Sequence, residues 1–227
     1  MKRLGILSTA VLLFLAGCGT VPLTGRQQLL LVSDQDVLSS SLTQYKEYMQ
    51  EATRSTSTTQ SAMVTRVGKK LAAATETYLR QNGLSSEISN FAWEFNLVKN
   101  DEVNAFCMPG GKIVVYEGLM KLVSSDDELA VVLGHEIAHA VAKHSNERIS
   151  QQLLAQYGAQ LLSKGLENKS TAIQTVAGYN PDKAVTFWQK MAANGQGSVP
   201  EFMSTHPSDS RRISDIQKAL PEIKAKY

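Results

Sequence analysis

The chain has 227 residues, which is enough for one domain with a substantial hydrophobic core. Its formal net charge is +2, and Lys2 and Arg3 supply both charges, so the rest of the chain carries equal numbers of acidic and basic residues. The sequence contains no basic run of the kind that binds nucleic acid by charge. We therefore expect a folded domain that does not bind nucleic acid.

The first 17 residues have the pattern of a signal peptide. Two positive charges precede an apolar stretch that is too short to span a bilayer as a stable helix. The stretch ends in Leu15-Ala16-Gly17-Cys18, which resembles a bacterial lipobox. Residues 1–17 are thus predicted to be a lipoprotein signal peptide, with Cys18 lipidated. The alternative is an ordinary secretory signal with an incidental cysteine. If Cys18 carries lipid, Cys107 has no partner for a disulfide.

The pattern downstream predicts a mainly helical α+β protein. Residues 18–32 are predicted to form an extended lead that packs on the domain, and residues 33–227 a single domain. Helical spacing of apolar residues predicts helices over about 33–52 and 64–82, and further helices after residues 125, 147 and 180 and before 221. Alternation predicts a strand over 91–98, and residues 104–116 are predicted to form strand, turn and strand.

Residues 127–144 are predicted to form one helix. Ser125 and Glu128 have the spacing of a capping box, in which hydroxyl and carboxylate satisfy backbone N–H groups of the first turn. Apolar residues recur at helical spacing from Leu129 to Ile137, so one side of the helix faces a core. This helix carries the sequence His135-Glu136-Ile137-Ala138-His139.

Two histidines four residues apart lie on the same face of a helix, so His135 and His139 can direct both imidazoles at one ion. Zinc binds imidazole nitrogen at about 2.0–2.1 Å, and a catalytic zinc holds three protein ligands and a water whose pKa it lowers to about 7. Glu136 is placed to take a proton from that water, a role worth about 10²–10⁴ in rate. The pattern predicts a Zn²⁺ site with His135 and His139 as ligands and Glu136 as general base. The alternative is a helix with two core histidines, although such a cluster is costly in apolar surroundings without a metal.

His144 follows His135 by nine residues, and at about 100° per residue a continuous helix places it on the opposite face. The sequence also lacks the glycine and third histidine of metzincin enzymes, because Ala142 and Ser145 occupy those positions. We therefore expect His144 to lie outside the metal site, as a charge at the C-terminal end of the helix.

Several separate stretches together resemble metallopeptidase family 48, the CaaX-prenyl-protease and periplasmic metallopeptidase type. They occur in the family's order and cover nearly the whole chain after the signal peptide. The stretches are Leu23-Thr24-Gly25-Arg26, Asn104-Ala105-Phe106-Cys107-Met108-Pro109-Gly110-Gly111, Gly134-His135-Glu136-Ile137-Ala138-His139-Ala140, Ala177-Gly178-Tyr179-Asn180-Pro181 with Phe187-Trp188, and Ser204-Thr205-His206-Pro207 with Arg212-Ile213.

The resemblance implies a zincin-like (gluzincin) fold, with a small β-sheet beside the His-Glu-x-x-His helix and residues 33–227 as a single metallopeptidase domain. It implies that the strand after the Pro-Gly-Gly turn is a sheet edge to which an extended substrate adds by backbone hydrogen bonds. The residues of that strand are Lys112, Ile113, Val114, Val115 and Tyr116.

The family's His-Pro loop lies over the metal. By resemblance, His206 would stabilise the oxyanion or occupy the open zinc position, and Arg212 would help to orient that region. A histidine before Pro207 can alternatively be a plain turn residue.

The resemblance further implies a bacterial-lipoprotein member of the family that acts on envelope proteins. Its partners would be unfolded or misassembled envelope proteins as substrates, and the membrane through a lipid anchor at Cys18. Gly19, and not aspartate, follows that cysteine. The resemblance therefore implies a location on the periplasmic side of the outer membrane.

The chain departs from the family at the third zinc ligand, a glutamate in a Glu-Ala-Asp motif that this sequence lacks. The nearest acid to the expected position is Glu167, and its offset of two residues turns it well away on a helix. Relative to the family pattern, a segment of about one long helix and a loop is absent between Val176 and Ala177. Two histidines and water alone would hold zinc weakly. Of the candidate substitutes Glu167, Glu201 and His206, we favour His206 because its loop is expected near the metal.

Three functions follow from these observations. The first is a zinc endopeptidase that acts in protein quality control, which the helix and the order of the motifs favour. The second is a catalytically inactive chaperone-like or assembly-factor lipoprotein on the same fold, which the missing glutamate favours. The third is a structural lipoprotein in which the two histidines belong to the core.

Overall fold

The structure is a computed structural model that describes residues 18–21, 25–157, 178–180, 182–193 and 209–226. In this part of the chain the mainly helical α+β class is confirmed, whereas the gluzincin detail stays a prediction. The elements in chain order are β1 (Cys18–Thr20), β2 (Gln27–Leu29), α1 (Asp34–Glu51), α2 (Thr58–Gln81), a 3₁₀ helix (Ser85–Asn90), β3 (Glu94–Val98), β4 (Ala105–Met108), β5 (Lys112–Tyr116), α3 (Glu117–Met120), α4 (Asp126–Val141), α5 (His144–Tyr157), α6 (Lys183–Ala193) and α7 (Asp209–Lys226). Of the helices described here, none has the length and apolar character needed to cross a membrane.

The lead segment, predicted as extended chain, contains two short strands that form a hairpin. β1 and β2 pair antiparallel with Cys18 opposite Leu29, and Gly25 takes a φ of 68° between them. The segment then lies against α5, where the Leu31 N–H donates to Ser150 Oγ at 2.8 Å. The segment thus makes polar contacts with α5, while its Val21 side chain is buried and its Leu31 side chain is 47% exposed.

The main sheet has three strands in the order β3-β5-β4. β3 runs parallel to β5, and β4 runs antiparallel to it after a turn in which Gly110 and Gly111 take φ values of 92° and 76°. Glycine adopts such values without the penalty of a Cβ atom. β5 is therefore the central strand, and all five of its residues are buried. The prediction that Lys112 to Tyr116 form a substrate-binding edge is wrong, because both neighbours of that strand are already in place.

Helices cover both faces of this sheet. The larger core lies between the sheet and helices α2, α4, α6 and α7, and its side chains without solvent exposure include Leu71, Ile113, Leu129, Leu133 and Phe187. A smaller cluster lies on the other face and comprises Tyr45, Val98, Val114 and Tyr116. Helix α4, which carries His135 and His139, is thereby held between the sheet, α2 and α6.

The helix predicted to be continuous is broken near its C-terminal end. α4 ends at Val141 and α5 begins at His144, because Lys143 takes a φ of 58°. The Lys143 ammonium pairs with Asp34 at 2.6 Å and with Glu87 at 3.0 Å. These contacts with distant parts of the chain hold a left-handed turn that a lysine seldom adopts.

Candidate metal centre

α4 begins where the sequence predicts. Ser125 Oγ accepts a hydrogen bond from the Glu128 N–H at 3.3 Å, as in a capping box. The Glu128 carboxylate accepts from the N–H of Ser124 at 2.9 Å and from the Lys190 ammonium at 2.6 Å. Burial opposes ionisation of Glu128, but these hydrogen bonds hold its pKa below the ordinary value. The first turn is therefore tied to α6, which fixes the direction of the helix.

The two predicted metal ligands lie together near the other end of α4. The Nε2 atoms of His135 and His139 are 3.0 Å apart, and their rings are nearly perpendicular. His135 is 2% exposed and packs edge-on against Trp188 of α6, with 5.5 Å between ring centroids. Two nitrogens bound tetrahedrally to one zinc at 2.0–2.1 Å lie roughly 3.4 Å apart. The pair therefore fits a shared ion after opening by a few tenths of an ångström.

A third histidine lies beside this pair. Because the chain turns at Lys143, the Nδ1 atom of His144 is 2.8 Å from Nδ1 of His139. Burial lowers the pKa of His144 to about 4, so its ring is neutral at pH 7. The expectation that His144 lies outside the site was wrong, because it assumed a continuous helix. The local sequence does not predict this turn, because it has neither glycine nor proline there.

Glu136, the predicted general base, is half-buried and lies near β4. Its neighbour on that strand is Cys107, whose thiol pKa is raised by burial and by the negative charge of Glu136. The carboxylate is therefore at the boundary between α4 and β4. A peptide bound along β4 would therefore pass close to the Glu136 carboxylate.

β4 has an open edge on the side away from β5. The N–H of Tyr116 donates to the carbonyl of Asn104 at 3.1 Å, so Asn104 directs its backbone polar groups at β5. These groups alternate along an antiparallel strand, so Phe106 does the same while Ala105 and Cys107 direct theirs outward. Within the described residues, no strand pairs with this edge.

The opposite edge of the sheet is partly closed. The N–H of Ser55 donates to the Leu97 carbonyl at 2.9 Å, and the N–H of Lys99 donates to the Thr53 carbonyl at 2.8 Å. The segment between α1 and α2 thus pairs with the outer side of β3. The two edges of the sheet therefore differ, because the described residues pair with β3 but place no strand against the outer side of β4.

The third metal ligand is not found in the part of the chain that the structure describes. Within those residues, no group of three or more His, Cys, Asp and Glu side chains is placed to hold a metal. The candidates Glu167, Glu201 and His206 lie outside the described residues, so the predicted role of His206 in catalysis stays a prediction. Arg212 lies in α7, and its side chain is not described.

A sequence model of a known family matches the region that contains this site. The model for peptidase family M48 matches residues 68–177 and 157–220, which together run from α2 into α7. The chain belongs to peptidase family M48. The resemblance drawn from the motifs to metallopeptidase family 48 is thereby confirmed.

Relatives in this family are named as endopeptidases or proteases. The mitochondrial metalloendopeptidase OMA1 of Schizosaccharomyces pombe is 35% identical over 170 residues, covering 62% of this chain and 50% of that protein. Human mitochondrial OMA1 is 27% identical over 244 residues, covering 88% of this chain and 45% of that protein. The β-barrel assembly-enhancing protease of Yersinia pestis is 28% identical over 171 residues, covering 58% of this chain and 35% of that protein. The chain spans about half or less of the length of these relatives.

These comparisons bear on the missing segment. The alignment with human OMA1 is 244 positions long. It includes 88% of this 227-residue chain, which is about 200 residues. About 40 of its positions therefore have no residue from this chain. The family model is matched in two pieces that overlap in residues 157–177. Both findings agree with a deletion before Ala177, in the region where the family's glutamate ligand is expected.

The predicted location on the periplasmic side of the outer membrane is wrong. The relatives with 33–35% identity, and those covering 88% of the chain, are named as mitochondrial. The bacterial assembly-enhancing proteases match at 25–28% identity over 58% of the chain. The assignment depended on the lipobox, on Gly19 after it and on resemblance to the bacterial-lipoprotein members of the family. Lipidation of Cys18 and cleavage of residues 1–17 stay predictions.

Proposed function

We propose that this protein is a zinc-dependent endopeptidase that cleaves extended segments of unfolded proteins. The observation that carries the proposal is the pair of Nε2 atoms, 3.0 Å apart, on the helix beside an open strand edge. Membership of the M48 family supports the reaction class. Envelope proteins as the particular substrates depended on the periplasmic location, so the proposal keeps only the unfolded state of the substrate.

His135 and His139 would hold the zinc. When bound, zinc lowers the pKa of a water ligand and polarises a peptide carbonyl. Glu136 accepts a proton from the attacking water and returns it to the leaving amine, as a general base and then a general acid. The burial of His135 against Trp188 keeps the first ligand in one orientation.

β4 would bind the substrate, in place of the strand predicted first. The outward N–H and C=O groups of Ala105 and Cys107 can pair with an extended peptide, which adds a fourth strand to the sheet. Such pairing uses the peptide backbone, so it accepts many sequences. This suits an enzyme that acts on unfolded chains.

A second function is favoured by one observation. The described residues supply two histidine ligands without a third, and the human alignment is longer than the part of this chain that it covers, as a missing ligand segment would require. Because losing a ligand weakens metal binding, a chain of this kind could bind unfolded proteins on β4 without cleaving them. That activity would be chaperone-like.

Cleavage of an unfolded substrate by the purified full chain tests both functions. We expect casein to be cut with zinc present, to be spared with a chelator, and to be cut about 10²–10⁴-fold more slowly by Glu136→Gln. The matched control is Glu51→Gln, at an exposed glutamate at the end of α1, which should leave the rate unchanged. Casein binding without zinc-dependent cleavage would contradict the endopeptidase and support the chaperone-like function.

A further inference from the structure

We propose that His144 is a positioning residue for the metal centre, which accepts a hydrogen bond from Nδ1 of His139 and so directs Nε2 of His139 at the ion. The inference rests on the proposed function, because it requires His135 and His139 to share a metal.

The contact has the geometry of a hydrogen bond. The two Nδ1 atoms of His139 and His144 are 2.8 Å apart, and the rings are tilted by 58° with centroids 4.8 Å apart. The two nitrogens of His139 therefore have different neighbours. Nε2 is next to His135, and Nδ1 is next to His144.

The chemistry of imidazole fixes the direction of this hydrogen bond once a metal is bound. A neutral imidazole carries one proton, and the nitrogen that binds a metal carries none. With the metal on Nε2 of His139, the proton is on Nδ1, which donates to Nδ1 of His144. Metal-binding histidines generally have such an acceptor on their second nitrogen. In this chain the acceptor is an imidazole, in place of the more usual carboxylate or carbonyl.

His144 has no competing partner for its ring in the part of the chain described by the structure. Its Nε2 atom is buried without a hydrogen-bond partner among those residues. The contact with His139 is therefore the polar interaction that decides which nitrogen of His144 carries the proton. A bound metal would place that proton on Nε2 of His144.

The fold holds His144 in place from two sides. Lys143, in its left-handed conformation, pairs with Asp34 at the start of α1. One turn into α5, the buried Glu147 carboxylate accepts two hydrogen bonds from Arg26 of the lead, both at 2.7 Å. The first turn of α5 is thus fixed to the lead and to α1, so the ring of His144 is fixed relative to α4.

Two substitutions of His144 separate positioning from packing. Asparagine keeps an acceptor oxygen close to the place of Nδ1, whereas leucine fills the space without any acceptor. For the purified full chain, competition with a chelator should give a zinc Kd about 10–100-fold higher for His144→Leu and within about threefold of wild type for His144→Asn. A packing role predicts the reverse order, because leucine fills an apolar space better than asparagine does.

A measurement on the wild-type chain does not depend on either variant folding. In the zinc-loaded protein, ¹⁵N chemical shifts should show Nδ1 of His139 protonated and Nδ1 of His144 unprotonated. A protonated Nδ1 of His144, or a His144→Leu variant with wild-type zinc affinity, would overturn this inference and leave the proposed function standing. Failure of the wild-type chain to bind zinc would overturn both.

Discussion

The two ends of α4 are held in different ways. At the N-terminal end, a local cap at Ser125 and the fully buried Leu129 fix the helix in the core. At the C-terminal end, two histidines face each other, and the helix is stopped by a turn at Lys143 that depends on residues far away in sequence. The first end contributes to the stability of the core, and the second carries the proposed metal site. Substitutions at the N-terminal end should therefore lower the free energy of unfolding, and substitutions at the C-terminal end should lower the affinity for zinc.

The largest effect is expected from His139→Ala. This substitution removes one of two described ligands and the partner of His144, so we expect the loss of stoichiometric zinc binding in a chelator competition assay. The metal-free variant should unfold in urea within about 2 kcal/mol of the metal-free wild type, because His139 is only half-buried. Wild-type zinc affinity in this variant would show that the ion binds elsewhere.

The converse effect is expected from Leu129→Ala. Leu129 is fully buried, and truncating such a side chain leaves a cavity that costs about 2–5 kcal/mol of unfolding free energy. Urea unfolding should show this loss, while the zinc affinity of the folded fraction stays at the wild-type value. A fall in zinc affinity comparable to that of His139→Ala would show that the two ends of α4 are not separable.

A smaller effect tests the turn itself. Lys143→Ala and Lys143→Gly both lose the ion pairs to Asp34 and Glu87, so the comparison between them isolates the backbone conformation. Glycine tolerates a φ of 58°, so we expect the glycine variant to be more stable than the alanine variant by about 1 kcal/mol. Equal unfolding free energies would mean that the left-handed turn is not maintained in solution.

The features predicted correctly from the sequence are those set by local spacing. The cap at Ser125, the proximity of His135 and His139, and the turn at Gly110 each depend on residues within a few positions of one another. The break at Lys143 could not be predicted in this way, because its partner Asp34 lies 109 residues away.

The sequence of β5 itself indicates that this strand is central in the sheet. Ile113, Val114 and Val115 form a continuous apolar run, which is typical of a strand buried on both faces and unlike an exposed edge. The resemblance implied that one arm of this hairpin binds the substrate, and the pairing order of the sheet shows that β4, and not β5, is the arm at the edge.

X-ray absorption spectroscopy of the zinc-loaded full chain identifies the atoms that bind the metal. We expect one zinc per chain with nitrogen and oxygen ligands at about 2.0–2.1 Å, and a weaker imidazole contribution in a His135→Ala variant loaded at high zinc concentration. A sulfur ligand at about 2.3 Å, or an imidazole contribution unchanged by that substitution, would contradict a metal shared by His135 and His139.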